Sequence, residues 1–241
     1  MILLRNSTIT SLQNKMVELG PRLSCAASMV RGSTKIVDIG TDHAYLPAYL
    51  VLCRNVNDVL ACDIGIKPLE NARKTVDLYS LQNHISLRVS DGLNEVLPDE
   101  AEEIIICGMG GTLISEILSH AEWIKRDGMH LILQPMTHSE DVRYWLCRNG
   151  FAITDEMYMV DNNRYYCCLS ADYTGIFEEH EEGFYYFGEL SDVSEPALAY
   201  AGMRMKRIET KLNALQKADP DAYELHFLQK IKEYYEKRMP H

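Results

Sequence analysis

The sequence predicts an α/β fold, in which a mostly parallel β-sheet ends in an antiparallel hairpin and a small, coiled-coil-like helical domain follows. Strand-like apolar segments alternate with helical patterns over most of the chain, as in proteins built from βαβ units. Two later strand-like segments flank the turn-forming residues Asp161-Asn162-Asn163, which favours a hairpin. Beyond Thr174 the pattern is helical. We therefore predict a sheet domain at residues 1–175 and a helical domain at residues 176–241.

Each strand is predicted from a short run of apolar or β-branched residues that ends in a turn signal. Pro135 is expected to end the fifth strand, because proline cannot donate a hydrogen bond to a neighbouring strand. The predicted strands are residues 35–39, 58–64, 85–90, 102–107, 130–134, 151–160 and 164–170.

Each helix is predicted from apolar residues that recur at a spacing of three or four. Gly20-Pro21 interrupts the first helical pattern, and Ser139 and Gly150 are expected to cap and to stop the helix between them. The two C-terminal helices have a short connection and are expected to pack as an antiparallel pair. The predicted helices are residues 10–30, 41–53, 67–79, 112–123, 139–149, 195–217 and 222–238.

The composition predicts a cytoplasmic globular protein. Of the 241 residues, 46% are hydrophobic, and no apolar run approaches the length of a membrane span. The N-terminal segment is too short and too polar for a signal peptide. The seven cysteines include no Cys-x-x-Cys pair, so we expect reduced thiols and no metal. The sequence does not set the oligomeric state, and a monomer is compatible with it.

The charge is distributed unevenly. The net charge of −11 by itself argues against a nucleic-acid partner, whose backbone is anionic. Basic residues nevertheless recur from Arg204 onward, and local charge steers partners more than the total does. These basic residues are either solvated helix faces or a binding surface, and the sequence leaves both readings open.

Four predicted strand ends carry Asp or Gly. In a parallel sheet these ends meet at one edge, where open α/β folds bind ligands. A carboxylate at the end of the second strand suits ribose hydroxyls, and an Asp-Gly pair can meet an adenine edge with a side chain and a backbone N–H. The strand-end segments are Asp38-Ile39-Gly40, Asp63, Asp91-Gly92 and Gly108-Met109-Gly110-Gly111.

The turn after the first strand distinguishes between cofactors. A dinucleotide fingerprint would need a second glycine where the sequence has Asp42, and an acid there would repel a pyrophosphate. S-adenosylmethionine has no phosphate. Its sulfonium and ammonium groups are cations that Asp38 and Asp42 can attract. The residues alone therefore favour an S-adenosylmethionine-dependent methyltransferase over a nicotinamide dehydrogenase.

Plainer interpretations of the same residues remain open at this stage. Asp38 could cap a turn, many strands end in an acid as at Asp63, and His43 could pack or cap within a first helical turn. The glycine-rich segment after the fourth strand is harder to explain structurally, because glycine costs backbone entropy at a helix start.

The motifs together resemble a known family. The segments IVDIGTDHAYLP, ACDI with KPLENA, SDGL, IICGMGG and LILQP occur in the order and spacing of the bacterial tRNA (adenine-22-N1)-methyltransferases. The resemblance covers residues 23–171 and implies a Rossmann-like class I methyltransferase domain, S-adenosylmethionine as cofactor and tRNA as substrate. The chain differs from the family in its N-terminal extension, in Cys62 and Cys107, and in Ile64-Gly65-Ile66.

The resemblance also implies the site residues. The expected cofactor contacts are Asp38, Gly40, Thr41, Asp42, His43, Asp63, Ile64, Asp91, Gly92, Cys107, Gly108, Met109 and Gly110. The expected substrate contacts are Gly111, Gln134, Pro135, Arg204 and Arg207. Further candidates for phosphate contacts are Lys67, Arg73, Lys74, Arg143, Arg148, Lys206 and Lys211. Asp42 is also the candidate catalytic residue, because a carboxylate could stabilise the cationic product base.

Two other classes of function stay open. A methyltransferase of a small molecule would use the helices as a lid or a dimer interface, and it would not bind tRNA. A non-catalytic adapter would keep the nucleoside fold, bind a partner through the helices and transfer no methyl group.

Overall fold

Seven β-strands are present in the computed structural model, which describes residues 17–32, 35–191, 193–218 and 223–239. The strands are β1 (Ile36–Ile39), β2 (Val59–Asp63), β3 (Ile85–Val89), β4 (Glu103–Gly110), β5 (His130–Thr137), β6 (Phe151–Asp161) and β7 (Arg164–Tyr173). They form one sheet in the order β3-β2-β1-β4-β5-β7-β6. The predicted α/β sheet is confirmed.

The pairing directions agree with the predicted arrangement. β1 pairs in parallel with β2 and β4, and β2 pairs in parallel with β3. β7 runs antiparallel to both β5 and β6. Asn162 and Asn163, between β6 and β7, have φ angles of 49° and 59°, as a two-residue type I′ hairpin turn requires. The predicted hairpin is therefore confirmed.

Eight helices accompany the sheet within the described residues. They are α1 (Pro21–Met29), α2 (Tyr45–Arg54), α3 (Ile66–Leu78), α4 (Gly111–Ser119), α5 (Ser139–Arg148), α6 (Glu182–Phe187), α7 (Glu195–Ala218) and α8 (Tyr223–Arg238). The first seven residues of the predicted helix at 10–30 lie outside the described residues. None of the described helices is both long enough and apolar enough to cross a bilayer.

The chain divides into two compact units, Met1–Cys107 and Gly108–His241. In the first unit, β1 is buried along its whole length, as expected of a parallel strand covered on both faces. In the second unit, α6, α7 and α8 share an apolar core whose members include Phe187, Met205 and Ile231. The domain boundary that the sequence places near Gly175 stays a prediction.

Two expected boundaries differ from the structure. Helix α2 begins at Tyr45 instead of residue 41, because Asp42 and Ala44 adopt left-handed φ angles of 48° and 53°. Strand β5 continues through Pro135 to Thr137. Its ladder with β7 ends at Leu133, so the missing N–H of Pro135 removes no bond from that ladder.

Two features of the second unit were not expected. The N-cap of helix α5 is His138, in a left-handed conformation, and not the expected Ser139, which is the first residue of the helix. The Ser139 hydroxyl instead lies 2.7 Å from the Tyr200 hydroxyl within the fold. The short helix α6 was not predicted, because its six residues are fewer than two helical turns and carry little periodic signal.

Candidate active site

The turn after β1 is fixed to the end of β2. The backbone N–H groups of Gly40 and Thr41 both donate to the carbonyl oxygen of Cys62, each at 2.9 Å. Gly40 has a φ of 78°, a conformation that glycine adopts without steric cost. The result is a tight strand-to-helix turn at the carboxyl edge of the sheet.

Asp63 is the central carboxylate of this edge. Its Oδ2 accepts a hydrogen bond from the backbone N–H of Asp42 at 3.3 Å, and its Oδ1 accepts one from Gly65 at 2.9 Å. Each oxygen of an ionised carboxylate can accept about two hydrogen bonds, so one position on each oxygen stays available. Asp63 can therefore order the turn and still bind vicinal hydroxyl groups.

Asp38 is a buried acid one residue inside the end of β1. Its side chain is 4% exposed, and burial raises its pKa from 3.8 to about 6, with the Thr41 hydroxyl opposing the rise and the Asp63 charge adding to it. The buried Thr41 Oγ1 has no hydrogen bond of good geometry within the described residues. A buried carboxylate beside an unsatisfied hydroxyl favours a cationic or hydrogen-bonding ligand.

Asp42 and His43 lie on the exposed side of the turn. The Asp42 carboxylate is 64% exposed and lies 3.5 Å from Nε2 of His43. The His43 ring stacks on Tyr45 with centroids 5.3 Å apart. Both side chains are accessible to a ligand, so the predicted roles of Asp42 and His43 stay predictions.

The end of β3 supplies the next part of the edge. The Ser90 hydroxyl donates to the carbonyl oxygen of Gly92 at 2.7 Å and accepts from the N–H of Glu95 at 3.2 Å. This hydrogen bonding fixes Gly92 at a φ of 57° and leaves the Asp91 side chain exposed. The N–H of Ser90 donates to the carbonyl oxygen of Asp63, which ties this turn to β2.

Two exposed apolar side chains adjoin these acids. Ile64, directly after Asp63, is 67% exposed, and Val89, directly before Ser90, is 52% exposed. Val89 is also the register partner of Asp63. Apolar groups next to carboxylates suit a ligand that combines an aromatic base with hydroxyl groups.

Two of the glycines at the end of β4 are required for different structural reasons. Gly108 has a φ of 80°, which favours glycine. A Cβ on Gly111 would lie 1.9 Å from the carbonyl oxygen of His138, so close backbone packing requires glycine there. Met109 and Gly110 are half-buried, and burial holds the pKa of the Cys107 thiol well above its usual range.

The predicted substrate contacts on β5 are not accessible. Gln134 is fully buried, and its amide donates to the carbonyl oxygen of Pro135, which is buried too. A direct contact with a tRNA base would require both residues to become exposed. We therefore leave them out of the proposed substrate surface.

Arg204, a predicted phosphate contact, instead makes contacts within the second unit. Arg204 donates to Glu140 at 2.6 Å and to the Ser139 hydroxyl at 3.0 Å, and its guanidinium lies over the rings of Tyr186 and Tyr200. Because the Arg204 guanidinium is already paired with Glu140 and its side chain is only 12% exposed, we leave Arg204 out of the phosphate surface as well.

Arg143 cannot contact a phosphate. It is fully buried and donates to both carboxylate oxygens of Glu156, at 2.7 Å and 3.1 Å. Arg148 is exposed but pairs with Glu179. Arg207 is exposed on α7 and has no ion-pair partner within the described part of the chain.

Sequence reasoning missed the turn-forming role of Ser90 and the exposed position of Val89. Serine before Asp-Gly is a turn signal, so the role of Ser90 could have been found. The exposure of Val89 has no sequence signal, because an apolar residue at a strand end is expected to be buried.

Comparison with known proteins agrees with this chemistry. The family described as "Methyltransferase domain" matches residues 19–169. The tRNA (adenine(22)-N(1))-methyltransferase of Bacillus subtilis is 36% identical over 156 residues, which span 65% of this chain and 66% of that relative, just under two thirds of its length. A putative tRNA methyltransferase of Mycoplasma pneumoniae is 27% identical, with 87% and 98% of the two chains aligned.

Solved structures extend the similarity into the C-terminal helices. The B. subtilis tRNA methyltransferase TrmK is 28% identical with a TM-score of 0.77, and the alignment covers 92% of this chain and 96% of that one. The structure of M. capricolum TrmK in complex with S-adenosyl-homocysteine is 28% identical with a TM-score of 0.76, covering 93% and 100%. The family match covers more than half of the chain, and on that ground the chain belongs to the methyltransferase domain family.

Proposed function

We propose that this protein transfers a methyl group from S-adenosylmethionine to N1 of adenine 22 in tRNA. The observation that carries the proposal is the similarity to tRNA methyltransferases over nearly the whole chain, including the helices that follow β7. A cytoplasmic location is part of the same proposal.

The strand-end residues of the first unit fit the proposed cofactor. Asp63 would accept hydrogen bonds from the ribose hydroxyls through the positions that the turn leaves available on its two oxygens. Ile64 would contact the adenine ring, and Asp91 with Gly92 would meet its polar edge. Bound S-adenosylmethionine would supply a methyl group on a cationic sulfur.

The acids at the turn after β1 suit the cationic part of that cofactor. Asp38 is buried at a cost that a cation nearby would offset, since a positive charge favours the ionised carboxylate. Thr41 would gain a well-aligned hydrogen-bond partner for its buried hydroxyl, in addition to its interaction with the Asp38 carboxylate.

The reaction makes modest chemical demands on the protein. N1 of neutral adenine already has a lone pair, so no strong base is needed, and catalysis consists mainly of positioning. The methylated base becomes cationic, and the exposed carboxylate of Asp42 is the candidate that would stabilise this charge. An adenine within folded tRNA must leave its stack, at a cost of roughly a few kcal/mol.

We assign tRNA binding in part to the helical segment at residues 176–241. Lys206 and Arg207 are exposed on α7, and neither side chain has an ion-pair partner among the described residues. Free cations on a rigid helix are suited to phosphate contacts, which position the nucleic acid without reading its sequence.

The test is methyl transfer from labelled S-adenosylmethionine to unmodified bacterial tRNA, mapped by reverse transcription. An N1 methyl group blocks Watson–Crick pairing, so the expected result is label in tRNA together with a reverse-transcription stop at adenine 22. Label with a stop elsewhere would overturn the assigned position. Cofactor binding without label in tRNA would favour a small-molecule substrate, and absence of cofactor binding would favour the adapter.

A further inference from the structure

The second unit contains a cavity, distinct from the strand-end residues, that no part of the proposed function uses. Its volume is about 720 Å³, and its lining comes from α5, β6, α6, α7 and the segments that flank α6. Three residues with metal-binding side chains face it: Cys147 near the end of α5, and Glu178 and His180 from the segment between β7 and α6.

The three side chains converge. The Cys147 sulfur, a carboxylate oxygen of Glu178 and a ring nitrogen of His180 all lie within 4.8 Å of one another. Glu178 Oε2 and His180 Nε2 are 3.0 Å apart. Ligand atoms of a tetrahedral zinc site are roughly 3.3–3.6 Å apart, so side-chain movements of about 1 Å would complete this geometry.

The backbone fixes this arrangement. The N–H of Glu178 donates to the carbonyl oxygen of Cys147 at 2.9 Å, which attaches the segment before α6 to the end of α5. The N–H of His180 donates to the Tyr185 hydroxyl at 3.1 Å, and the His180 ring stacks on Phe184 at 3.9 Å. The ligand set is therefore preorganised in a way that a chance surface cluster is not.

The electrostatic surroundings favour a cation. Glu156 and Glu189 also line the cavity, in addition to Glu178. Asp155 lines the cavity too. Arg143 neutralises Glu156, which leaves the carboxylates of Asp155, Glu178 and Glu189 as the excess negative charge of the lining.

We propose that Cys147, Glu178 and His180 bind a Zn²⁺-class divalent metal ion, with a fourth coordination position open to the cavity. One sulfur, one imidazole nitrogen and one carboxylate oxygen form a borderline-soft ligand set, which suits zinc and not magnesium or calcium. Binding forms a metal–sulfur bond, and the thiol proton of Cys147 is released to solvent. The bound ion would join α5 to the segment before α6.

The sequence contains no recognisable metal motif, because the expected patterns require two closely spaced cysteines. Here one ligand lies on a helix and the other two follow some thirty residues later, in an i, i+2 pair. The hydrogen bond from the N–H of Glu178 to the carbonyl oxygen of Cys147, a contact across thirty-one residues of sequence, helps to bring them together.

The test uses the tag-free full chain, stripped with a chelator and titrated with Zn²⁺ or Co²⁺ alone. We expect one zinc per chain by elemental analysis, an increase in Tm on adding zinc, and a thiolate-to-cobalt charge-transfer band on adding Co²⁺. Glu178→Gln keeps the side-chain shape and should weaken zinc binding at least about tenfold. Cys147→Ser should abolish the charge-transfer band.

Matched variants separate ligation from general damage. Glu179→Gln changes the adjacent exposed acid, and Cys168→Ser changes a buried cysteine that does not line the cavity. Both should bind zinc like the unchanged protein. Absence of stoichiometric zinc, or equal binding by Glu178→Gln and Glu179→Gln, would overturn the proposal, and neither result bears on methyl transfer. If Cys147→Ser does not fold, Glu178→Gln alone decides.

Discussion

Burial of the Asp38 carboxylate lowers the stability of the fold at neutral pH. Its pKa is raised to about 6, so between about pH 4 and pH 6 the folded chain binds more protons than the unfolded chain, and stability falls as pH rises through this window. The cost above pH 6 is roughly 3 kcal/mol.

Asp38→Asn removes this titration. We expect it to raise the free energy of unfolding at pH 7.5 by up to about 3 kcal/mol, with the difference disappearing near pH 4. Denaturant unfolding at the two pH values measures this. The same variant should bind S-adenosylmethionine more weakly, and equal affinity would remove Asp38 from the cofactor site.

Asp63 is expected to be the most sensitive residue of the cofactor site, because its carboxylate would serve both the turn and the ribose. Asp63→Ala should weaken S-adenosylmethionine binding by at least about tenfold, since hydrogen bonds to charged groups contribute roughly 1.5–3 kcal/mol each. Calorimetry measures the affinity. Asp58→Ala, an exposed acid just before the same strand, is the control and should bind normally.

At the scale of elements, the junction of β4 and α4 requires a glycine, because Gly111 has no room for a side chain. A Cβ at Gly111 would overlap the carbonyl oxygen of His138, so Gly111→Ala should destabilise the protein by about 3 kcal/mol or more. Gly202 lies in α7 with open space around its would-be Cβ, so Gly202→Ala should stabilise by about 0.5–1 kcal/mol. Thermal unfolding of the two variants measures both changes in stability. A Gly111→Ala variant as stable as the unchanged protein would contradict the packing argument.

Substitution of Arg204 on α7 should destabilise the fold, whereas substitution of Arg207, three residues later, should not. Arg204→Ala leaves the partly buried Glu140 without its cation, so we expect a loss of roughly 3 kcal/mol of stability. Denaturant unfolding measures this loss. Unchanged stability with weaker tRNA binding would instead restore Arg204 to the phosphate surface.

Helix and strand positions were largely predictable from sequence, whereas the details at their ends were not. The strand before Gly40 was clear from its apolar residues, but the delayed start of α2 depends on the hydrogen bond from Asp42 to Asp63, twenty-one residues away. Ser139 has the local sequence pattern of a helix cap. Its contact with Tyr200 on α7 cannot be predicted from that pattern, because the two residues are far apart in sequence. Sequence patterns report local preference, while long-range contacts decide the ends.

For the whole molecule, the distribution of charge determines where the proposed tRNA partner can bind. A chain with a net charge of −11 must bind an anionic partner through a few local cations. Arg207→Glu should weaken tRNA binding and reduce the slope of log affinity against log salt by about one, without changing Tm or cofactor affinity. Filter binding at several salt concentrations measures the slope, and an unchanged slope would place the phosphates elsewhere.

The acidic residues of the candidate site could be predicted from the sequence, whereas the exposed basic residues could not. The list of strand-end acids could be drawn up from the sequence because each acid follows an apolar run. The basic residues could not be sorted in this way, because Arg143, Arg204 and Arg207 look alike in sequence and differ in structure only by their acidic partners and burial.

The turn after β1 has a consequence for local motion. Within five residues it places Gly40, Asp42 and Ala44 in left-handed conformations, and two of these residues have side chains, which costs roughly 1–2 kcal/mol each. Such a segment should open more often than the sheet to which it is attached, so its amide hydrogens should exchange with deuterium well before those of β1. A ligand that binds Asp63 and this turn together would slow that exchange, and the amide of Asp42 would report the bound fraction of the cofactor site without any methyl transfer taking place.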